Sequence, residues 1–280
     1  MKKIGFIDFR LDEWHANNYP VWIAQANEKL GTDYRVAYAW AEDPAPEGKL
    51  TTEAWCEKFG AQPCKTLEEA CEKSDVLLIL APSNPEKHLG YAQRALKFGK
   101  LTYIDKTFAP DAATAQRIFE LSRENGAKIF STSALRYCEE LNRYDHVYSA
   151  FVSGSGRSLE EYCIHQLEMI VCMMGTGAKA VRCGGNIDHA ICEVDYGGGR
   201  NAALLYGAHM PYTLDVQKAA GQPSEYVPVK SEFFPRLLED ILRFFETGDA
   251  PVPEAQTMEC MKLRTAVLKA AAKPGEWFAV

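Results

Sequence analysis

The chain has 280 residues, 47% of them hydrophobic and 25% charged, with a formal net charge of -7. That composition reads as ordinary soluble globular protein, long enough for two modest domains. An acidic balance with no basic cluster argues against a nucleic-acid-binding surface, and no apolar run approaches the roughly 20 residues that a spanning helix needs.

In chain order, residues 4–9 form an apolar run that reads as a strand, and Asp8 and Arg10 interrupt it before a signal-peptide core of about 7 residues can form. Trp14–Leu30 follows as a helix and Tyr34–Ala41 as the next strand. Thr52–Phe59 and Leu67–Lys73 are expected to be short helices. The run DVLLILAPS (75–83) is apolar throughout, as suits a central parallel strand buried on both faces. A helix over 84–98 stops at Gly99, LTYID is a strand, a helix spans 111–125, and AKIFSTSAL is the last strand of the series. Alternation with short connections predicts βαβ units in a doubly wound parallel sheet.

Beyond about Leu135 the pattern changes. HVYSAFVSG, AVRCGG, DHAICEVDYGGGRNAALLYG and YTLDVQKAAG read as strands joined mostly by glycine turns. A hairpin is expected around Gly197, Gly198 and Gly199. Helices are expected over Leu159–Met174, 233–246 and Glu254–Ala272. The predicted fold class is therefore α/β, a Rossmann-like parallel sheet in residues 1–135 followed by an α+β domain with a mostly antiparallel sheet in 136–280. Nine cysteines lie between Cys56 and Cys260 with no Cys-x-x-Cys. The expectation is reduced, largely buried thiols in a cytoplasmic protein, with no zinc site and no disulfide framework.

Four motifs in order, Ala81-Pro82 and His88 within SDVLLILAPSNPEKHLGYAQRALKFGK, then Asp105-Lys106-Thr107 and EYCIHQLEMIVCMMG, resemble the glucose-fructose oxidoreductase / inositol dehydrogenase (Gfo/Idh/MocA) family. In that comparison Ala81-Pro82 stands for Thr-Pro and His88 matches the family histidine. Asp105-Lys106-Thr107 stands for Glu-Lys-Pro, and Glu161, His165 and Glu168 fall on the D-x-x-x-H-x-x-D helix. The resemblance implies a Rossmann domain for NAD or NADP, a sheet domain that completes the site and forms a homo-oligomer, and hydride transfer on a sugar-like or polyol substrate. It places Lys106 and His165 at the substrate hydroxyl.

The residues themselves support part of this. Lys106 ends an apolar strand, where α/β proteins build their sites, although a solvated lysine is the plainer outcome. Glu161 and His165 are four apart and share a helix face, so the carboxylate can orient the imidazole. Arg136 is either a substrate-facing arginine or a boundary salt bridge. His88 stands at the cofactor loop with Pro82, Ser83 and Asp105, and by default orients the helix after APSN.

The first turn departs from the pattern. The three glycine positions of G-x-G-x-x-G fall on Asp8, Arg10 and Glu13, and a carboxylate near a phosphate repels it by roughly 4 kcal/mol at 4 Å and an effective dielectric of 20. Asp8, Phe9, Arg10 and Leu11 are the expected cofactor contacts, with Arg10 offsetting the acids. Trp40, Glu42 and Asp43 are the candidates to meet the ribose. LDEWHANN, which holds Trp14, His15 and Asn17, is a candidate substrate segment, since sugars take carboxylates, amides and an aromatic face. The plain alternative for its acids is helix-dipole complementation, and no metal site is expected there. The functional expectation is an NAD(P)-dependent oxidoreductase. Its alternative is a non-catalytic relative that binds a small polar ligand without dinucleotide.

Overall fold

The computed structural model describes residues 1–43 and 45–280. Two compact units emerge, and each is made of two segments: Met1–Thr132 with Phe234–Pro253, and Ser133–Phe233 with Glu254–Val280.

The first unit is a parallel sheet in the order β3-β2-β1-β4-β5-β6, the topology of a doubly wound dinucleotide-binding fold. Its strands are β1 (Lys2–Asp8), β2 (Tyr34–Ala41), β3 (Gln62–Pro63), β4 (Val76–Ile79), β5 (Thr102–Ile104) and β6 (Ile129–Phe130). The connecting helices are α1 (Trp14–Leu30), α2 (Thr52–Phe59), α3 (Leu67–Lys73), α4 (Pro85–Ala95) and α5 (Ala112–Glu124). All four residues of β4 are buried, as expected for a strand covered on both faces. Each helix ends where the local chemistry stops it. Thr51, Thr66 and Asp111 cap α2, α3 and α5, and Gly31 and Gly60 take left-handed φ of 66° and 69° after α1 and α2. The expected strand AKIFSTSAL is shorter than its apolar pattern suggests, because only Ile129–Phe130 pair with β5 and the chain then winds into a 3-10 turn at Ala134–Tyr137.

The second unit is a mixed, mostly antiparallel sheet in the order β12-β11-β7-β10-β9-β8-β13. Its strands are β7 (Ser149–Gly154), β8 (Ala180–Gly185), β9 (His189–Gly197), β10 (Arg200–Gly207), β11 (Thr213–Gln217), β12 (Glu225–Pro228) and β13 (Trp277–Ala279). Only β7 and β10 run parallel. The hairpin between β9 and β10 turns on Gly198 and Gly199, at φ of 62° and 83°, the pair of positive values that a two-residue type I′ turn requires. Helices α6 (Leu159–Met174) and α8 (Glu254–Ala272) belong to this unit. Helix α7 (Phe234–Thr247) belongs to the first, where it packs on α1 and Lys29 meets Glu239 at 2.7 Å.

One expectation is corrected here. Cys183 and Cys192 form a disulfide, because the β8–β9 register sets them directly opposite with Cα atoms 4.0 Å apart. The other seven cysteines are free, and all but half-buried Cys172 are buried.

Candidate functional site

In the first unit the chemistry gathers where β1, β4 and β5 end. Asp8 closes β1 fully buried. Its Oδ1 accepts from the backbone N–H of Phe9 at 2.6 Å and of Ala81 at 2.9 Å, while its Oδ2 is buried with no hydrogen-bond partner. Burial, and then the nearby Glu13 carboxylate, push the Asp8 carboxyl well above the usual range. Glu13 is the N-cap of α1, and its side chain accepts from the backbone of His15 at 2.8 Å and of Ala16. Burial raises its pKa as well, against the opposing attraction of His15. The amide groups that a helix N-terminus offers to an anion are thus already engaged by a carboxylate of the same turn.

A proton raised onto buried Asp8 makes a prediction about stability. A carboxyl with a raised folded pKa stabilises the fold in its neutral form, and that contribution is lost as pH climbs above the ordinary carboxylate range through the folded value. Wild-type stability to urea should therefore decline with rising pH across that window. Asp8→Asn, which keeps the Oδ1 acceptor and carries no charge, should flatten the decline and be the more stable protein at the alkaline end. An unchanged slope would contradict it.

The remaining turn residues have defined partners. Arg10 is exposed and pairs with Asp43 at 2.5 Å. Phe9 is half-buried, with the cations of Arg10 and Lys87 about its ring at 5.1 and 5.0 Å. Leu11 is core. Of the three ribose candidates, Glu42 accepts from Lys87 at 2.8 Å and from Tyr91 at 2.5 Å, Asp43 holds Arg10, and Trp40 packs edge-on against Tyr91. Asn17 accepts from the Trp55 indole at 3.0 Å and donates to Asp12 at 2.8 Å, and Asp12 accepts from Leu50 N–H at 2.9 Å. That set ties α1 to the approach of α2, which accounts for Asn17 structurally. Trp14 is 52% exposed and shares an aromatic cluster with Trp22 and Phe234, its ring 5.4 and 4.7 Å from theirs.

At the end of β5, buried Asp105 lies 2.6 Å from His15 Nδ1. Tyr103 donates to its Oδ1 at 3.2 Å and Tyr19 approaches at 3.4 Å. Burial opposes the Asp105 charge, but His15, Lys106 and His88 together outweigh it and the carboxyl sits below its ordinary value. Lys106, next in sequence, is almost buried and donates from Nζ to the carbonyl of Pro82 at 2.7 Å; the bond from Lys106 to Thr107 is cis. Ser83 is exposed at the same loop. His88 is enclosed, with Nδ1 at 3.0 Å from Phe108 O and Nε2 at 2.6 Å from Leu80 O, and burial lowers its pKa. Both ring nitrogens face backbone carbonyls, to one of which the neutral ring can donate, which makes His88 a brace between the β4 end and the segment after β5.

In the second unit, α6 presents His165 and Glu168 three residues apart. His165 Nδ1 lies 2.7 Å from Ser133 Oγ, and Glu168 Oε2 accepts from Arg136 Nε at 2.7 Å with Nη2 at the same distance in the ion pair. Arg136 also donates to Gln256 at 2.6 Å. Burial works against the Arg136 charge, but the Glu168 carboxylate more than offsets it and holds the pKa above its usual value. Glu161 pairs with Arg157 one turn back on the chain. The rings of Tyr162 and Tyr212 lie 5.6 and 6.4 Å from that of His165. Ser133 is absent from the expected site set, and only its three-residue spacing from Arg136, matching His165 and Glu168, could have pointed to it.

Among solved structures, the chain matches the WlbA dehydrogenase of Bordetella pertussis in complex with NADH and UDP-GlcNAcA with a TM-score of 0.74, 13% identity, and 99% and 98% of the two chains covered. The fold is that of the Gfo/Idh/MocA-type dehydrogenases. UDP-N-acetylglucosamine 3-dehydrogenase GnnA of Acidithiobacillus ferrooxidans matches with a TM-score of 0.75, 14% identity, and 96% and 97% coverage. In sequence, the chain is 33% identical over 63 residues to the uncharacterized oxidoreductase YhhX of Escherichia coli (strain K12), which is 22% of this chain and 18% of that relative's length. No family model matches the chain. In this dehydrogenase fold the first turn is the place where phosphate approaches a helix N-terminus, so Asp8 and Glu13 stand at the point where the present sequence is least conventional.

Proposed function

We propose that the protein is an NAD(P)-dependent oxidoreductase that transfers hydride between the cofactor and a hydroxyl-bearing carbon of a sugar-like or polyol substrate. The observation that carries this is Lys106, nearly buried at the carboxyl end of β5 with Nζ held on the Pro82 carbonyl, in a chain that shares its fold along almost its whole length with dehydrogenases of sugar substrates. The ends of β1 and β4 stand where this fold takes a dinucleotide, whereas Glu13 occupies the α1 amide groups that its pyrophosphate would need. A bound NAD or NADP supplies the hydride acceptor. Lys106 and His165 are the groups assigned to the hydroxyl proton, and exposed Trp14 offers an aromatic face of the kind a sugar ring packs on. Glu42 and Asp43 beyond β2 favour a ribose hydroxyl over a 2′-phosphate.

The test is calorimetric titration with NAD, NADH, NADP and NADPH, followed by a polyol oxidation screen. NADH is expected to bind more tightly than NADPH. Lys106→Met should lower kcat about 10²–10⁴-fold, the range for a positioned proton-handling group, with cofactor binding retained. No heat at millimolar cofactor from folded protein would sink this reading and favour the second one, a relative that binds a small polar ligand without dinucleotide. The carboxylates in the first turn are the specific observation on that side.

The second sheet suits a homo-oligomer. Its register aligns Tyr226, Asp215, Phe151, Ala203, Glu193, Arg182 and Trp277 across one face, and Phe151, Tyr226 and Trp277 are 41%, 64% and 48% exposed. Phe151→Asp should shift the sedimentation coefficient towards that of the monomer; an unshifted boundary would count against it. We place the protein in the cytoplasm because seven of its cysteines are free. Among the described residues no helix is long and apolar enough to cross a membrane.

A further inference from the structure

We infer that Ser133 is the positioning residue for His165, holding the imidazole in the Nδ1–H tautomer so that the ring's lone pair lies on Nε2. The inference rests on the oxidoreductase reading for its use, since it gives His165 the role of accepting the substrate's hydroxyl proton. Its structural basis is independent of that reading.

The contact is built from two elements in register. Ser133 begins the short 3-10 turn Ala134–Tyr137 as its N-cap and accepts from Leu135 N–H at 3.2 Å. Three residues on, Arg136 leaves the same turn for Glu168, and on α6 His165 and Glu168 are likewise three apart. Residues three apart lie on one side of a helix, so the turn meets α6 at two points. One of these is a buried ion pair that forbids sliding, because moving it would leave a charge unpaired in the interior. Ser133 is itself fully buried. With the turn held at Arg136, the Oγ is fixed relative to the ring, and the 2.7 Å contact is a property of the packing.

Glycines on the other side complete the mounting. A Cβ at Gly156 would fall 1.9 Å from the ring of Tyr162, and one at Gly154 would fall 2.5 Å from that of Tyr212. Those two rings have room beside His165 because the end of β7 and the residues after it carry no side chain at these two positions. Glu161, one turn earlier on α6, pairs with Arg157.

In the assigned direction Ser133 Oγ accepts at both of its acceptor positions, from Leu135 N–H and from His165 Nδ1–H across the 2.7 Å contact. In the neutral ring this leaves Nε2 as the base. When the substrate O–H proton moves to Nε2, the imidazolium keeps its Nδ1–H on Ser133, so nothing at that end has to reorganise during the step. The reverse arrangement, with Ser133 donating to Nδ1, would put a proton on Nε2 and remove its capacity to accept one.

Nitrogen-15 NMR of histidine-labelled protein reads the tautomer directly, with His165→Gln used to assign the signal. Wild type is expected to show a protonated Nδ1 and an unprotonated Nε2 in the neutral ring, Ser133→Ala to lose that preference, and Ser133→Thr to restore it. With a polyol that is turned over, Ser133→Ala should lower kcat about 10²-fold, the scale of an ångström of misplacement, with threonine recovering most of it. A neutral ring protonated on Nε2 in wild type, or one unaffected by Ser133→Ala, would overturn the assignment. Failure of every variant to bind dinucleotide, with the tautomer as expected, would overturn the oxidoreductase reading and with it the catalytic use of His165.

Discussion

Replacing Glu13 with serine is expected to tighten NADH binding at least tenfold, about 1.4 kcal/mol. In the native turn the Glu13 carboxylate accepts from the N–H groups of His15 and Ala16, which are the donors a pyrophosphate needs at this position. Two unit charges 4 Å apart at an effective dielectric of 20 interact by roughly 4 kcal/mol, so a tenfold gain is a cautious fraction of the repulsion removed. Serine is a preferred N-cap and keeps α1 started while withdrawing both the charge and the bulk. Glu13→Gln separates the two contributions, because it removes the charge and leaves the volume in place; it should gain less than serine. The measurement is a fluorescence or calorimetric titration of NADH at fixed ionic strength. Equal or weaker binding by Glu13→Ser would mean that Glu13 is not what opposes the cofactor, and attention would move to Asp8, whose buried Oδ2 remains in the turn.

The same turn shows what could be read from the chain alone. The missing glycines are visible in the sequence, and so is the parallel sheet, because an unbroken apolar strand such as VLLI has no stable place except between two helical layers. That Glu13 would cap α1 was not visible. Glutamate is a poor prior for that role beside Asp12, and Asp12 instead reaches Asn17 and Leu50 N–H. The polar groups of LDEWHANN arrive together, as a ligand surface would have them, and what the sequence does not show is that Glu13, Asp12, His15 and Asn17 each also find internal partners, two of them far along the chain at Asp105 and Trp55.

Long-range pairing hides Ser133 in the same way. A sequence displays i, i+4 neighbours on one helix, as with Glu161 and His165, whereas Ser133 is 32 residues away and reaches His165 through the turn after β6. The disulfide has the same origin. Cys183 and Cys192 are nine positions apart, and nothing short of the β8–β9 register sets them opposite.

Arg136 carries the largest expected effect on stability. Arg136→Met should cost about 3–5 kcal/mol, because it leaves the Glu168 carboxylate buried without its partner and removes the donor to Gln256 on α8. The double variant Arg136→Met, Glu168→Leu should recover most of that loss, since replacing a buried ion pair with apolar groups of similar size is often neutral or stabilising. The two are coupled, so the double should lie far from the sum of the singles. Urea denaturation of the three variants measures this, with the midpoint and slope both recorded so that a change in the unfolded state is not mistaken for one in the fold. This outcome also decides between the two roles open to Arg136 at the level of sequence. A guanidinium that chiefly meets substrate would cost little stability when removed and would raise KM. A guanidinium buried against Glu168 would cost the fold first. The 2.7 Å contacts and the buried surroundings on both sides favour the second, and a loss below about 1 kcal/mol, the scale of an exposed pair, would refute it.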